Sequence, residues 1–257
     1  MPDFLVTIDW SHLLPFIAIG FAAQVVDGAL GMAFGVINST LLVTVMGVPP
    51  ALASASVHAV ETFTTAASGI SHVAHRNVDW HLFRRLVIPG VIGAALGATL
   101  LSNVDASVAR PFVMTYLAGI GLYLLFRAIR GRIEPRTPKV IAPLGFVGGF
   151  LDAAGGGGWG PVVTSNLLIQ GATPRHTIGT VNTAEFFLTT TASIAFFISL
   201  GWSAFTLQTL GILIGGLLAA PLGGVLAKRV PTRQLMALVG VLLTVTSAWS
   251  IYTVLAK

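Results

Sequence analysis

Apolar residues run through the chain in ten blocks separated by short polar or glycine-rich joints: 12–27, 32–46, 51–72, 83–102, 108–128, 140–154, 159–170, 177–200, 205–227 and 233–255. A helix crossing the hydrocarbon layer needs about 20 residues at roughly 1.5 Å each. The third, fourth, fifth, eighth, ninth and tenth blocks supply that length, whereas the first, second, sixth and seventh fall short. Each short pair is joined at glycines, Gly28 to Gly31 (GALG) in one and Gly155 to Gly158 (GGGG) in the other. Each pair is therefore either a re-entrant hairpin of half-helices or two thin spans. The pattern predicts an all-α polytopic membrane protein of 8–10 spans, with broken or re-entrant helices at the glycine motifs.

The stretch FLDAAGGGGWGPVVTSN (Phe150 to Asn166) stands out within this pattern. Each interior glycine costs about 1 kcal/mol of helix stability relative to alanine and leaves the backbone uncovered, so Gly155, Gly156, Gly157 and Gly158 should interrupt the helix. Exposed amides at membrane depth persist only where protein or a water-filled cavity satisfies them. A broken helix followed by polar residues is the expected shape of a transport site, because the new N-terminus offers N–H groups and a positive dipole end to an anion. Close helix packing also favours small residues, but it explains scattered glycines better than a run of four.

Composition agrees with a life in lipid. Of the 257 residues, 54% are hydrophobic and 9% charged, and mean hydropathy is +0.87. A soluble domain carries roughly a quarter charged residues. The net charge of +5 does not point to nucleic acid, because the basic residues fall in short loops between apolar blocks. The absence of cysteine excludes disulfides and thiolate chemistry. No basic n-region precedes the first block, so it is expected to stay as part of the protein rather than leave as a signal peptide. Three loops are basic: Arg76, Arg84 and Arg85; Arg127, Arg130, Arg132, Arg136 and Lys139; and Lys228, Arg229 and Arg233. The positive-inside rule makes these cytoplasmic. The N-terminal tail with Asp3 and Asp9, the uncharged joint at 201–203 and the C-terminus then lie outside, so both termini are periplasmic.

The two halves repeat one another. At an offset of 125, Gly20, Phe21, Asp27, Gly31, Phe34 and Gly35 correspond to Gly145, Phe146, Asp152, Gly156, Trp159 and Gly160. At 124, Gly47, Pro50, Ser56, Val57, His58, Glu61 and Phe63 correspond to Gly171, Pro174, Thr180, Val181, Asn182, Glu185 and Phe187, and at 122 Trp80 and Phe83 correspond to Trp202 and Phe205. The expected organisation is a first membrane repeat (1–130), a cytoplasmic linker (131–139) and a second repeat (140–257). Charge places the start of the first repeat outside and the start of the second inside, so the repeats are inverted. That conclusion holds for hairpins and spans alike, since exchanging one for the other changes the crossing count by two. An inverted repeat sets the substrate site near the midplane, where the broken helices meet.

Four acids lie in apolar surroundings as two related pairs, Asp27 with Asp152 and Glu61 with Glu185. A carboxylate at bilayer depth costs at least ~2.5 kcal/mol unless it faces a cavity, is hydrogen-bonded or is protonated. An aspartate just ahead of a glycine break can also cap the neighbouring helix. Glu61 and Glu185 sit inside long blocks, where capping is not available, and suit proton coupling, gating or a structural link to the broken hairpin. Their companions read S/T-x-H/N-x-x-E: Ser56, His58 and Glu61 in one half, Thr180, Asn182 and Glu185 in the other. His58 is the intramembrane group able to become cationic near neutral pH. The triplets Asn38-Ser39-Thr40 and Thr164-Ser165-Asn166 add uncharged donors, which suit an oxyanion that must be released again. Candidate substrate contacts are Gly31, Gly35, Asn38, Ser39, Ser56, His58, Gly155 to Gly158, Trp159, Thr164, Ser165, Asn166, Thr180 and Asn182.

The duplicated opening from Gly20 to Gly35, its partner from Gly145 to Gly160, and the later G-x-x-P-x-x-x-x-x-T-x-N-x-x-E pattern resemble the sulfite exporter TauE/SafE family over nearly the whole chain. The resemblance implies a carrier of the bacterial or archaeal inner membrane that exports sulfite or small organosulfonates such as sulfoacetate. The first half departs from it, with GALGMAFG where more glycines are usual and His58 where the second half keeps Asn182. The partners implied are a small anion and the bilayer, with a homodimer left open and no cofactor or metal required. A cation or cation/proton antiporter using the four carboxylates is the alternative. An intramembrane enzyme is disfavoured, for the chain has no HExxH and only an approximation to GxSG at Ala66 to Gly69. The lack of a Walker A sequence likewise disfavours a primary pump.

Overall fold

The computed structural model describes residues 10–32, 34–40, 42, 48–103, 106–130, 136–201, 207–222, 225 and 231–255. Asp3, Asp9, Gly47, Arg132, Trp202, Phe205, Lys228, Arg229 and Lys257, all used in the sequence reading, lie outside these, as does most of the linker. Secondary structure among the described residues is helical: α1 (Trp10–Leu30), α2 (Phe34–Thr40), α3 (Pro50–Ala74), α4 (Trp80–Leu101), α5 (Ala106–Arg130), α6 (Ala142–Gly155), a π-helical turn (Gly160–Thr164) running into α7 (Ser165–Ile169), α8 (Pro174–Leu200), α9 (Leu207–Ala219) with a 3-10 turn (Ala220–Leu222), and α10 (Thr232–Leu255).

Local sequence sets the ends. Prolines stand at the first helical positions of α3 and α8, where the missing N–H would have no intrahelical partner anyway. Asp79 caps α4, its Oδ1 accepting from the N–H groups of His81 (2.9 Å) and Leu82 (3.1 Å). α1 and α6 both end against a left-handed glycine, Gly31 at φ +67° and Gly156 at φ +71°, a conformation open to glycine at no steric cost.

One block boundary differs from expectation. The first block is not short: α1 has 21 residues, runs straight through Gly28 and breaks only at Gly31. A lone glycine costs a helix about 1 kcal/mol, which the apolar residues around it offset. Within the ninth block α9 tightens into 3-10 geometry at Ala220, next to the ring nitrogen of Pro221, which cannot donate to a helical bond.

The two short helices of the second half run antiparallel. The N–H of Arg136 donates to the Gly171 carbonyl (2.8 Å), and Gln170 Oε1 accepts from the N–H groups of Lys139 (2.9 Å) and Val140 (3.0 Å). The start of α6 and the end of α7 therefore lie side by side, and the chain turns back at Gly156 to Gly158. At 14 residues, α6 is about 21 Å long, too short to cross a bilayer.

α3 and α8 lie against one another at the centre, flanked by α4 on α6 and by α9 on α1, while α5 packs on α10. The outward surface is apolar: Leu14, Ile70, Ile88, Ile129, Ile198 and Val245 are exposed. The interior holds an apolar core that includes Leu86, Trp159, Val163 and Phe34, and within it Ser54, Ser56, His58, Glu61, Thr64, Thr65, Ser68 and His72 of α3 are all buried. Buried titratable groups in an apolar-coated protein mark a functional site. Three helical stretches, Trp80–Leu101, Pro174–Leu200 and Met236–Thr253, are long and apolar enough to cross a membrane.

Candidate functional site

The two glycine breaks meet tip to tip. A Cβ on Gly35 would lie 2.9 Å from Gly157 Cα, and one on Gly160 would lie 2.6 Å from Met32 Cα, closer than real Cβ contacts allow. Only hydrogen at these positions lets the two backbones cross. Ser39 and Ser54 flank Gly156, as Thr164 and Ile178 flank Gly31. Thr164 Oγ1 donates to the Gly31 carbonyl (2.9 Å), and Ser54 Oγ donates to the Ala153 carbonyl (3.1 Å). Each break is thus held by a hydroxyl from the opposite half of the chain.

Asp152 organises the second tip. Its carbonyl accepts from Gly156 and from Gly157 (3.0 Å), and its Oδ1 accepts from the N–H groups of Gly158 (2.7 Å) and Trp159 (2.9 Å). The expectation that glycine amides stand bare for a guest is corrected here: the aspartate already holds them, as an N-cap carboxylate does. The first tip is built alike but more loosely, with the Phe34 N–H 3.4 Å from Asp27 Oδ1 and the Gly31 N–H on the Asp27 carbonyl.

His58 closes the site. Its Nδ1 lies 2.8 Å from the Ser54 carbonyl, and its Nε2 lies 3.2 Å from Asp152 Oδ2. A carbonyl only accepts, so Nδ1 carries a hydrogen. Ser54 Oγ, 3.3 Å from the same Nδ1, gives its own proton to Ala153 and has none to offer the ring. The contact between Nε2 and Oδ2 joins two atoms that would both be acceptors in a neutral imidazole facing a carboxylate, so a proton sits between them, on one or the other. At the corresponding place in the second half, Asn182 Nδ2 donates to the Asp27 carbonyl (3.2 Å) and Asn182 Oδ1 accepts from Ser68 (2.9 Å). An amide does not titrate near neutral pH as an imidazole does, so the two half-sites differ in kind.

Glu61 and Glu185 are buried beside the tips. A Cβ on Gly35 would come within 3.1 Å of Glu61 Oε1, and one oxygen of each glutamate is buried without a hydrogen-bond partner. Charge links the whole group, since Glu185 interacts with Asp27, Glu61 and Asp152, and His58 with Asp152 and Glu61. Thr65 and Thr189, one turn further along α3 and α8, face each other at 3.5 Å between their hydroxyls. Trp159 is fully buried, with its Nε1 donating to the Val181 carbonyl (3.2 Å). Beyond the His58 ring lies Phe196, with centroids 5.8 Å apart. Phe196 forms part of the wall of an apolar cavity of about 360 Å³ between α3 and α8.

Other predicted contacts sit further out or serve the backbone. Asn38 and Asn166 donate to carbonyls four residues earlier in their own helices. Thr180 accepts from the Asp79 N–H (2.8 Å) at the end of the molecule where α4 begins. Gly155 remains helical with open space beside it. Ser165 and Ser56 are buried, and the Thr40 side chain lies outside the described residues. Sequence reasoning missed Ser54, Thr65 and Thr189. Ser54 stands four residues before His58, on the same helix face, which is the signal that would have found it.

An apolar exterior, a buried cluster of titratable groups and two interrupted helices meeting at that cluster define a membrane transporter. Residues 16–249 match the family described as "Sulfite exporter TauE/SafE". The chain belongs to that family. It is 44% identical over 237 residues to a protein of Bacillus subtilis (strain 168) described as "Probable membrane transporter protein YtnM", covering 89% of this chain and 79% of that one. No solved structure matches.

Proposed function

We propose that the protein is a secondary transporter that exports a small sulfur-containing anion, sulfite or an organosulfonate such as sulfoacetate, across the bacterial inner membrane by alternating access. One observation carries this reading: Asp152 holds the tip amides through Oδ1 and shares a proton with His58 through Oδ2. The carboxylate acts as a tethered stand-in for an anion. Moving the shared proton onto Asp152 weakens its hold on two N–H donors at the start of a helix segment, and these become free for an oxyanion. Returning the proton to His58 restores the carboxylate and expels the guest. Transport is in this way coupled to a proton, with Asp27, Glu61 and Glu185 setting the charge of the surroundings.

The two-repeat organisation belongs to the same reading. Related residues make related contacts: Gly35 against Gly157 and Gly160 against Met32, Thr164 beside Gly31 and Ser39 beside Gly156. The Thr65–Thr189 pair, separated by 124 in sequence, lies where a two-fold axis would pass. These pairings favour inverted repeats at 1–130 and 140–257 joined by a linker at 131–139, with broken helices meeting at the glycine tips and both termini periplasmic. A cation or cation/proton antiporter is the second reading, favoured by the unpartnered oxygens of Asp27, Glu61 and Glu185. Proteoliposomes separate the two. Efflux of sulfite or sulfoacetate supports the first; sodium- or calcium-dependent flux with no anion movement would remove it.

A further inference from the structure

One end of the molecule carries a basic cavity. Arg85 and His81 near the start of α4, Arg136 ahead of α6, and His176 in the first turn of α8 line one cavity of about 310 Å³, together with Thr177 and Asp79. Hydrogen bonds tie the three stretches together, from the Asp79 N–H to Thr180 Oγ1 and from the Arg136 N–H to the Gly171 carbonyl. The 27-residue α8 begins here, and Thr173 at its cap position makes no side-chain bond to it. Its positive dipole end and first-turn N–H groups therefore face this end of the molecule. Thr177 is only 1% exposed, yet its hydroxyl is buried in the cavity wall without a hydrogen-bond partner. Asp79 is the one acid in the lining, and its carboxylate is engaged in capping α4. The corresponding stretch of the first half, 124 residues earlier, has Ala51 and Leu52 in place of Arg175 and His176.

We propose that this cavity binds a tetrahedral oxyanion, held by Arg85, Arg136, the Thr177 hydroxyl and the N-terminal turn of α8, at the mouth bearing the basic loops. Its role as the place where cargo is collected before it reaches the tips rests on the export reading above. The same chemistry is presented by a free sulfate or sulfite and by the phosphate of an anionic lipid headgroup.

Calorimetric titration of the full chain with inorganic sulfate, in nanodiscs of phosphatidylcholine and in nanodiscs containing phosphatidylglycerol, tests the assignment. Saturable binding in the neutral discs is expected. Arg85→Gln combined with Arg136→Gln should weaken it by about tenfold or more, and Thr177→Val by several-fold, since charge-assisted hydrogen bonds contribute roughly 1.5–3 kcal/mol and tenfold is about 1.4 kcal/mol. Because both arginines sit at the rim, the double variant should elute and melt as the parent does. Loss of sulfate binding in the phosphatidylglycerol discs alone supports the pocket and identifies lipid phosphate as its occupant. No saturable binding in the neutral discs, or binding unchanged in both variants, overturns the proposal. Sulfate binding at this pocket in a protein that moves no sulfite would defeat the export reading and leave the pocket standing; sulfite transport without such binding would do the reverse.

Discussion

Replacing Gly157 by alanine tests the tip crossing most directly. Gly157 has φ +134°, a region that residues with a Cβ occupy at a cost of about 1–3 kcal/mol. The added methyl would stand 2.6 Å from both Gly35 C and Val36 N. Backbone cannot rotate away as a side chain can, so the tips must separate by several tenths of an ångström, and overpacking of this kind costs about 1–3 kcal/mol. Together these give roughly 2–6 kcal/mol of destabilisation. Gly155→Ala is the matched control, two residues away in the last turn of α6 with nothing within 4 Å of a new Cβ. It gains up to about 1 kcal/mol of helix propensity. Thermal unfolding of the two variants in one detergent should therefore separate them widely, with Gly155→Ala at or above the parent midpoint and Gly157→Ala well below it. Proteoliposome sulfite efflux should persist in the first and fall in the second. Coincident melting curves, or full efflux from Gly157→Ala, would mean that the two tips do not cross through hydrogen-sized gaps.

Three further outcomes are expected. His58→Asn places in the first half the residue that the second half carries at Asn182; it should leave thermal stability near the parent's while flattening the pH dependence of transport, and an unchanged pH profile would exclude the proton shared with Asp152. Glu61→Gln and Glu185→Gln should each alter the pH profile of efflux more than they alter expression, and unchanged profiles in both would remove the glutamates from coupling. The chain has no cysteine of its own, so Pro138→Cys and Lys257→Cys can be tested singly with an impermeant maleimide in intact cells: the second should react and the first should not, and the reverse pattern would invert the orientation.

Helix order was readable because block length and apolar content act locally. Almost every block reappears as a helix within a few residues of its expected ends, and the four glycines do end α6. What the chain could not disclose locally was who binds the freed amides. A bare GGGG run advertises donors, yet the nearest acceptor is Asp152, whose carbonyl reaches the N–H groups four and five residues on and whose carboxylate reaches those six and seven on. Ser54 was overlooked for a related reason: a serine in a helix rich in Ala and Ser carries no mark of its own, and its partner, the Ala153 carbonyl, is 99 residues distant. The adjacency of the two ends of this pair was likewise invisible to hydropathy, because it is made by the Gln170 side chain bridging to residues 30 and 31 positions earlier.

The difference between the halves then acquires a physical meaning. Two equivalent tips would bind an anion equally well from either side, and proton transfer at both would have no preferred order. The first half supplies a ring that can carry a proton, directed at the tip of the second; the second half supplies an amide that only holds the first tip in place. On the proposed reading, titration acts on one tip, the tighter of the two by its shorter amide contacts, and the looser tip stays outside the proton cycle. On this reasoning a double variant, His58→Asn with Asn182→His, should move the pH-sensitive step to the Asp27 tip rather than abolish it. Efflux that regains its pH dependence in the double variant, while His58→Asn alone stays flat, is the expected result; a flat profile in both would mean that the Asp152 tip alone can exchange its carboxylate for a guest.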